Sequence, residues 1–153
     1  MKKIFVLIFL LVIESALVAQ DIETQTFGNK NDHPILFLHG GPGYNSVSFE
    51  QTTATKLAKS GFFVISYDRR GEGRNDDLPA KYTFDETFED LNKIYEKHKL
   101  ESATLIGHSF GGIIATLFAD KYPGKLNGLI LTSVPVSMQK MFQNIIVKSK
   151  EIY

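Results

Sequence analysis

Between residues 34 and 132 the chain alternates unbroken apolar runs with stretches whose apolar positions recur every three or four residues. The runs are Pro34-Ile35-Leu36-Phe37-Leu38, Phe62-Phe63-Val64-Ile65-Ser66-Tyr67, Ala103-Thr104-Leu105-Ile106 and Leu126 to Thr132. Short and apolar at neighbouring positions, they read as strands of a parallel sheet covered on both faces. The stretches between them read as helices. Ser48 to Ser60 places Phe49, Thr53 and Leu57 on one face with Ala54 and Ala58; Ser48 and Gln51 form a capping box, and Gly61 is a stop. Thr83 with Glu86 makes a second capping box, ahead of Phe84, Phe88, Leu91 and Tyr95 facing the core. Ile113 to Ala119 reads as a third helix, ending at Tyr122 before Pro123-Gly124. Ser137 to Ile152 carries Met138, Phe142, Ile145 and Ile152 at helical spacing. Asp21 to Phe27 alternates weakly and suits an edge strand. Strand and helix in repetition imply an α/β fold: a mostly parallel sheet, helices on both faces, right-handed crossovers.

The first residues follow a different pattern. Lys2-Lys3 precede an apolar stretch from Ile4 to Ile13, Glu14-Ser15 breaks it, and Ala16 to Ala19 offers a small-residue exit. About 20 apolar residues are needed to span a bilayer, so this shorter run reads as an export signal over residues 1–19. That implies a periplasmic or secreted protein. A membrane enters only through this segment, where it is retained rather than cleaved. Residues 20–136 then form the core, and 137–153 a further helix.

Composition removes several classes of function. Lys and Arg number 17 and so do Asp and Glu, which leaves no electrostatic footprint for nucleic acid. There is no cysteine, hence no disulfide, thiolate metal site or thiol nucleophile. Neither His-Glu-x-x-His nor paired histidines occur, so no metal is expected, and no organic cofactor has a motif. Gly71-Glu72-Gly73 lacks the third glycine and following helix of a dinucleotide site. Asp68, Arg69, Arg70 and Arg74 around it read as loop structure, fixed by hydrogen bonds and ion pairs. His98, between Lys97 and Lys99, suits a helix C-terminus near the exposed end.

The candidate chemistry lies at the ends of two strands. Gly107-His108-Ser109-Phe110-Gly111 joins the third run to its helix, the setting of a nucleophile elbow. Gly107 and Gly111 lack side chains where the turn is tightest, and Ser109 is forced outward as candidate nucleophile. After the first run comes His39-Gly40-Gly41-Pro42-Gly43, a loop able to turn a backbone N–H toward a developing oxyanion.

Together these residues resemble the α/β-hydrolase family, in its proline iminopeptidase-like branch. His39 to Gly43 is similar to that branch's oxyanion loop, Gly107 to Gly111 to its elbow, and Tyr67 to Arg74 to its Asp-x-Arg-Gly-x-Gly-Arg segment. The resemblance covers about residues 22 to 137. It implies Ser109 as nucleophile, the Gly41 and Phe110 N–H groups as oxyanion hole, and His39, Gly40, Gly43, Gly107, His108 and Gly111 as support. The substrate would be a small ester or peptide amide. Where that branch carries Trp after the serine this chain has Phe110, which keeps ester hydrolysis open beside aminopeptidase activity.

In this family the acid and histidine follow the serine along the chain. Here His33, His39, His98 and His108 all precede Ser109, and Asp120 and Glu151 are the only carboxylates after it. The chain therefore reads as the N-terminal half of a serine hydrolase, its last helix the start of a lid and its isolated activity near background. The alternative is a non-catalytic binding or interaction protein.

Overall fold

A computed structural model describes residues 21–152; the export-signal segment, 1–19, lies outside the described residues. Five strands form one sheet: β1 (Thr24–Phe27), β2 (His33–Leu38), β3 (Phe62–Tyr67), β4 (Ala103–His108) and β5 (Leu126–Thr132). Their order is β1-β3-β2-β4-β5, with β1 antiparallel on its edge and the other pairs parallel. The helices are α1 (Val47–Phe49), α2 (Thr55–Lys59), α3 (Phe84–His98), α4 (Phe110–Lys121) and α5 (Met138–Ile152). A π-helical stretch, Glu50–Ala54, joins α1 to α2.

The apolar runs of β2, β3 and β4 are buried on both faces, since successive side chains of a strand point in opposite directions. That of β5, expected to be covered likewise, is largely exposed because it lies at the edge of the sheet. Leu36, Leu38, Phe63, Ile65, Tyr67 and Leu105 enter one core with Phe88, Leu91, Ile94 and Tyr95 of α3 and Ile114 and Phe118 of α4. Ile35, Phe37, Val64 and Ile106 enter the other, against Ala54, Phe49 and Leu57. Phe37 and Phe49 stack there with ring centroids 3.8 Å apart.

Some expected details differ. The first helix starts at Val47 with Ser46 at its N-cap, so Ser48–Gln51 is not a capping box. Ser46 is drawn inward instead: its hydroxyl donates to the Tyr67 carbonyl and its N–H to Asp68. Thr83 does cap α3, accepting from the Glu86 N–H at 3.2 Å, but the Glu86 carboxylate takes the N–H groups of Lys81 and Tyr82. Phe84, expected in the core, is 41% exposed. His98, expected near the exposed end, is half-buried, with its ring against Phe63 and Nε2 3.0 Å from the Thr24 hydroxyl.

From β2 the chain crosses to β3 on one side, and from β3 it returns past β2 to β4 on the other. Connections thus leave the C-terminal ends of β2 and β4 in opposite directions, opening the crevice where α/β sheets place ligands. Beyond β4 lies β5, whose Leu129, Ile130 and Leu131 stay 37–48% exposed.

Candidate active site

The end of β4 turns directly into α4 through Ser109, whose φ of 52° and ψ of −119° lie outside the regions open to ordinary residues. The surroundings hold it there. Its N–H donates to the Thr132 carbonyl of β5 at 2.9 Å, and its carbonyl accepts from the Gly112 N–H at 3.0 Å. A Cβ on Gly107 would lie 2.5 Å from the Gly112 Cα, and one on Gly111 would strike the Leu38 and His39 carbonyl oxygens. Two glycines therefore let the start of α4 rest against the ends of β4 and β2. Ser109 stands at the N-cap of α4, yet its side chain makes no capping hydrogen bond, and among the described residues its Oγ has no hydrogen-bond partner.

The His39–Gly43 loop leaves β2 beside this elbow. A Cβ on Gly40 would sit 3.2 Å from the Ser109 Cβ and 2.9 Å from His108 Nδ1, so loop and elbow touch. Gly41 has φ of 134°, a conformation that side chains disfavour. Among the described residues neither the Gly41 nor the Phe110 N–H finds a backbone or side-chain acceptor. As the first residue of α4, Phe110 has no acceptor one turn back, and its N–H lies at the positive end of the helix dipole.

His39 is 1% exposed and supports the loop through both ring nitrogens. The Arg69 N–H can only donate, so Nε2, 3.0 Å away, accepts; the proton is then on Nδ1, 2.6 Å from the Gly40 carbonyl oxygen. Burial, reinforced by the Arg69 charge, pulls the His39 pKa down to about 4, so the ring is neutral at pH 7. Its 3.6 Å approach to Glu72 is accordingly not an ion pair.

The segment after β3 braces the loop. Asp68, 1% exposed, accepts from the Ser46 N–H and the Arg74 N–H and pairs with Arg74 Nε at 3.1 Å. Arg74 continues to Glu50 at 2.8 Å, and Arg70 grips Asp90 of α3 with two donors, at 2.7 and 3.1 Å. Arg69 donates to the His39 and Gly40 carbonyls at 2.6 and 2.7 Å and lies over the Phe110 ring. Glu72 accepts the Gly43 N–H at 2.7 Å with Oε1, while Oε2 lies 2.8 Å from Arg69 Nη2. As expected, the segment is held by hydrogen bonds and ion pairs; that Arg69 and Glu72 also hold the His39–Gly43 loop is not legible in the sequence, because both partners lie about 30 residues upstream.

Two cavities are lined by the neighbours of Ser109, one by Phe110 and the other by His108. One, of about 200 Å³, lies between Pro42, Phe110, Ile114, Phe84 and the acids Glu72 and Glu86. Tyr67 also lines it, its buried hydroxyl without a hydrogen-bond partner among the described residues and held by burial well above its usual pKa. The other, of about 420 Å³, runs along Phe37, Gly40, His108, Ile106 and Ile130 on the opposite side of the sheet. His33 and His98 are hydrogen-bonded to Thr104 and Thr24, away from Ser109.

Comparison with known proteins identifies the family and the fold. Residues 33–149 match the alpha/beta hydrolase fold family. A proline iminopeptidase of Saccharolobus solfataricus is 37% identical over 114 residues, covering 70% of this chain and 36% of the relative. That of Thermoplasma volcanium is 34% identical over 125 residues, covering 78% and 41%. Among solved structures, a Nitrososphaera gargenis carboxylesterase superposes with TM-score 0.69 at 27% identity, over 85% of this chain and 48% of that one. A proline iminopeptidase-related protein of Thermus thermophilus gives 0.65 at 28% identity, over 72% and 40%. The chain thus spans less than half the length of these relatives.

Proposed function

Since the chain belongs to the alpha/beta hydrolase fold family, we propose that it is the nucleophile-bearing part of a serine hydrolase that cleaves a small ester or peptide amide. The observation that carries the reading is Ser109: a strained residue with a free hydroxyl, at the positive end of α4 and in contact with Gly40. In the proposed reaction Ser109 Oγ attacks the substrate carbonyl carbon, and the Gly41 and Phe110 N–H groups take up the oxyanion. The C–O or C–N bond breaks, an alcohol or amine leaves, and water then hydrolyses the acyl-serine.

A serine needs a base within hydrogen-bond reach. Both ring nitrogens of His39 are engaged, and no histidine follows Ser109. The proposal therefore places the activating histidine and its acid partner in sequence beyond these 153 residues, and makes α5 the start of a lid. Residues 1–19 are proposed to direct export to the periplasm or medium.

A fluorophosphonate probe tests the nucleophile. Ser109 Oγ bonds to phosphorus as the P–F bond breaks, and fluoride and the serine proton leave. In the full-length protein that carries the activating histidine, labelling is expected in the wild type and absent in Ser109→Ala; equal labelling of both removes Ser109 from the mechanism.

A further inference from the structure

We infer that Arg69 and Glu72 are positioning residues that aim the Gly41 N–H at the oxyanion, an inference that rests on the proposed serine hydrolysis. The peptide unit between Gly40 and Gly41 is planar, so its C=O fixes its N–H in the opposite direction when the bond is trans. The Gly40 oxygen is held on two sides, by Arg69 Nη2 at 2.7 Å and by His39 Nδ1 at 2.6 Å. Both lone pairs are occupied, and the carbonyl is anchored away from the unpartnered Gly41 N–H. The second guanidinium nitrogen, Nη1, holds the preceding His39 carbonyl at 2.6 Å, so one planar fork fixes two consecutive peptide units.

Glu72 closes the arrangement. Its Oε2 pairs with Arg69 at 2.8 Å and its Oε1 receives the Gly43 N–H at 2.7 Å, so the loop is gripped on either side of Gly41. A side chain at position 41 could not coexist with the clamp, since its Cβ would lie 2.7 Å from Arg69 Nη2. The cation also polarises the Gly40–Gly41 amide through its carbonyl, which makes the N–H a stronger donor. The same guanidinium lies 5.5 Å from the centroid of the Phe110 ring, next to the second donor of the hole. A single side chain thereby touches the residues on both sides of the oxyanion hole.

The test uses the full-length protein that carries the activating histidine and compares wild type, Arg69→Gln, Arg69→Lys and Glu72→Gln by saturation kinetics of fluorophosphonate labelling, with a crystal structure of Arg69→Gln. A misaimed donor slows the bond-forming step and leaves probe binding alone. Arg69→Gln is expected to lower the maximal labelling rate about 100-fold while the half-saturating concentration shifts less than about threefold. Lysine, which cannot span both carbonyls, is expected to recover only part of the rate, and Glu72→Gln to lose about tenfold. In the crystal the Gly40–Gly41 peptide of Arg69→Gln is expected to be rotated. An unmoved peptide, or labelling of Arg69→Gln within about threefold of wild type, overturns the inference. Wild type that labels no faster than Ser109→Ala instead overturns the serine reading, and the crystal structure still decides the peptide's direction.

Discussion

Lowering the pH toward about 5 is expected to weaken the fold through His39 before ordinary carboxylates are protonated. Burial and the Arg69 charge hold this imidazole at a pKa of about 4, against 6.5 when the chain is unfolded. The unfolded state therefore binds the proton more tightly. Stability is complete above about pH 6.5 and falls as the pH drops through the window toward 4. The difference over the whole window corresponds to about 3 kcal/mol, of which about 2 kcal/mol is already lost at pH 5. Geometry supplies the reason. A proton on Nε2 would face the Arg69 N–H, a donor 3.0 Å away, and would destroy the bond that fixes the ring.

Urea unfolding at pH 7 and at about pH 5 measures the loss. His98, also held below its usual pKa by burial and by Lys97, pulls in the same direction, so the measurement belongs in a His98→Gln background. There, His39→Gln keeps a donor and an acceptor but cannot be protonated, and its loss between the two pH values is expected to be smaller by about 2 kcal/mol. Nitrogen NMR of the ring checks the same point directly: Nδ1 should appear protonated and Nε2 bare from pH 7 to about 5. A His39 that titrates near 6.5, or equal pH losses in the two proteins, would refute the reasoning.

Other substitutions probe the site's supports. Alanine favours a helix over glycine by about 1 kcal/mol, yet Gly111→Ala is expected to destabilise by about 2 kcal/mol or more, because its Cβ meets backbone carbonyls of β2; an unchanged or raised urea midpoint contradicts the packing described. Tyr67→Phe removes a buried hydroxyl that has no partner, so thermal unfolding is expected to stay within about 1 kcal/mol of wild type or rise. A loss of about 2 kcal/mol or more would mean the hydroxyl is bonded. Asp90→Asn leaves the Arg70 guanidinium facing a neutral amide in place of a two-pronged carboxylate, and is expected to cost about 1–3 kcal/mol in urea unfolding. A change within about 0.5 kcal/mol would show that the pair contributes nothing.

The layers were legible because burial on both faces leaves a direct trace. A strand between two helical layers must be apolar at every position, and β2, β3 and β4 largely are, with Ser66 and Thr104 as exceptions inside the runs. Ser66 shows how such an exception is accommodated, donating to Glu50 at 2.6 Å within the second layer. The glycines of the elbow were legible for a similar reason: only their absence of side chain lets β4, α4 and β2 meet. Local signals that depend on a single hydrogen bond were less secure. Ser48 has the sequence of a cap, but Ser46 two residues earlier reaches Tyr67 and Asp68 at the end of β3, and that tertiary bond sets where the helix begins.

The hardest part to read was the one that distinguishes this site. Asp68, Arg70 and Arg74 occupy recognisable positions of a loop motif, whereas Arg69 and Glu72 fall on its variable positions. Their meaning depends on carbonyls and an N–H contributed by residues 39, 40 and 43, and no periodicity in the chain encodes that meeting. What brings them together is the parallel pairing of β2 with β3, which ends both strands at the same level, Leu38 beside Tyr67. Given that register, any long side chain two residues past Tyr67 starts next to the His39–Gly43 loop. A charged donor there would be a buried and uncompensated cost unless an acid lay within reach. Glu72, three residues further on, meets that need and uses its other oxygen on the loop. The ion pair is thus a consequence of the fold that carries the loop, and its two members should be substituted together more cheaply than either alone.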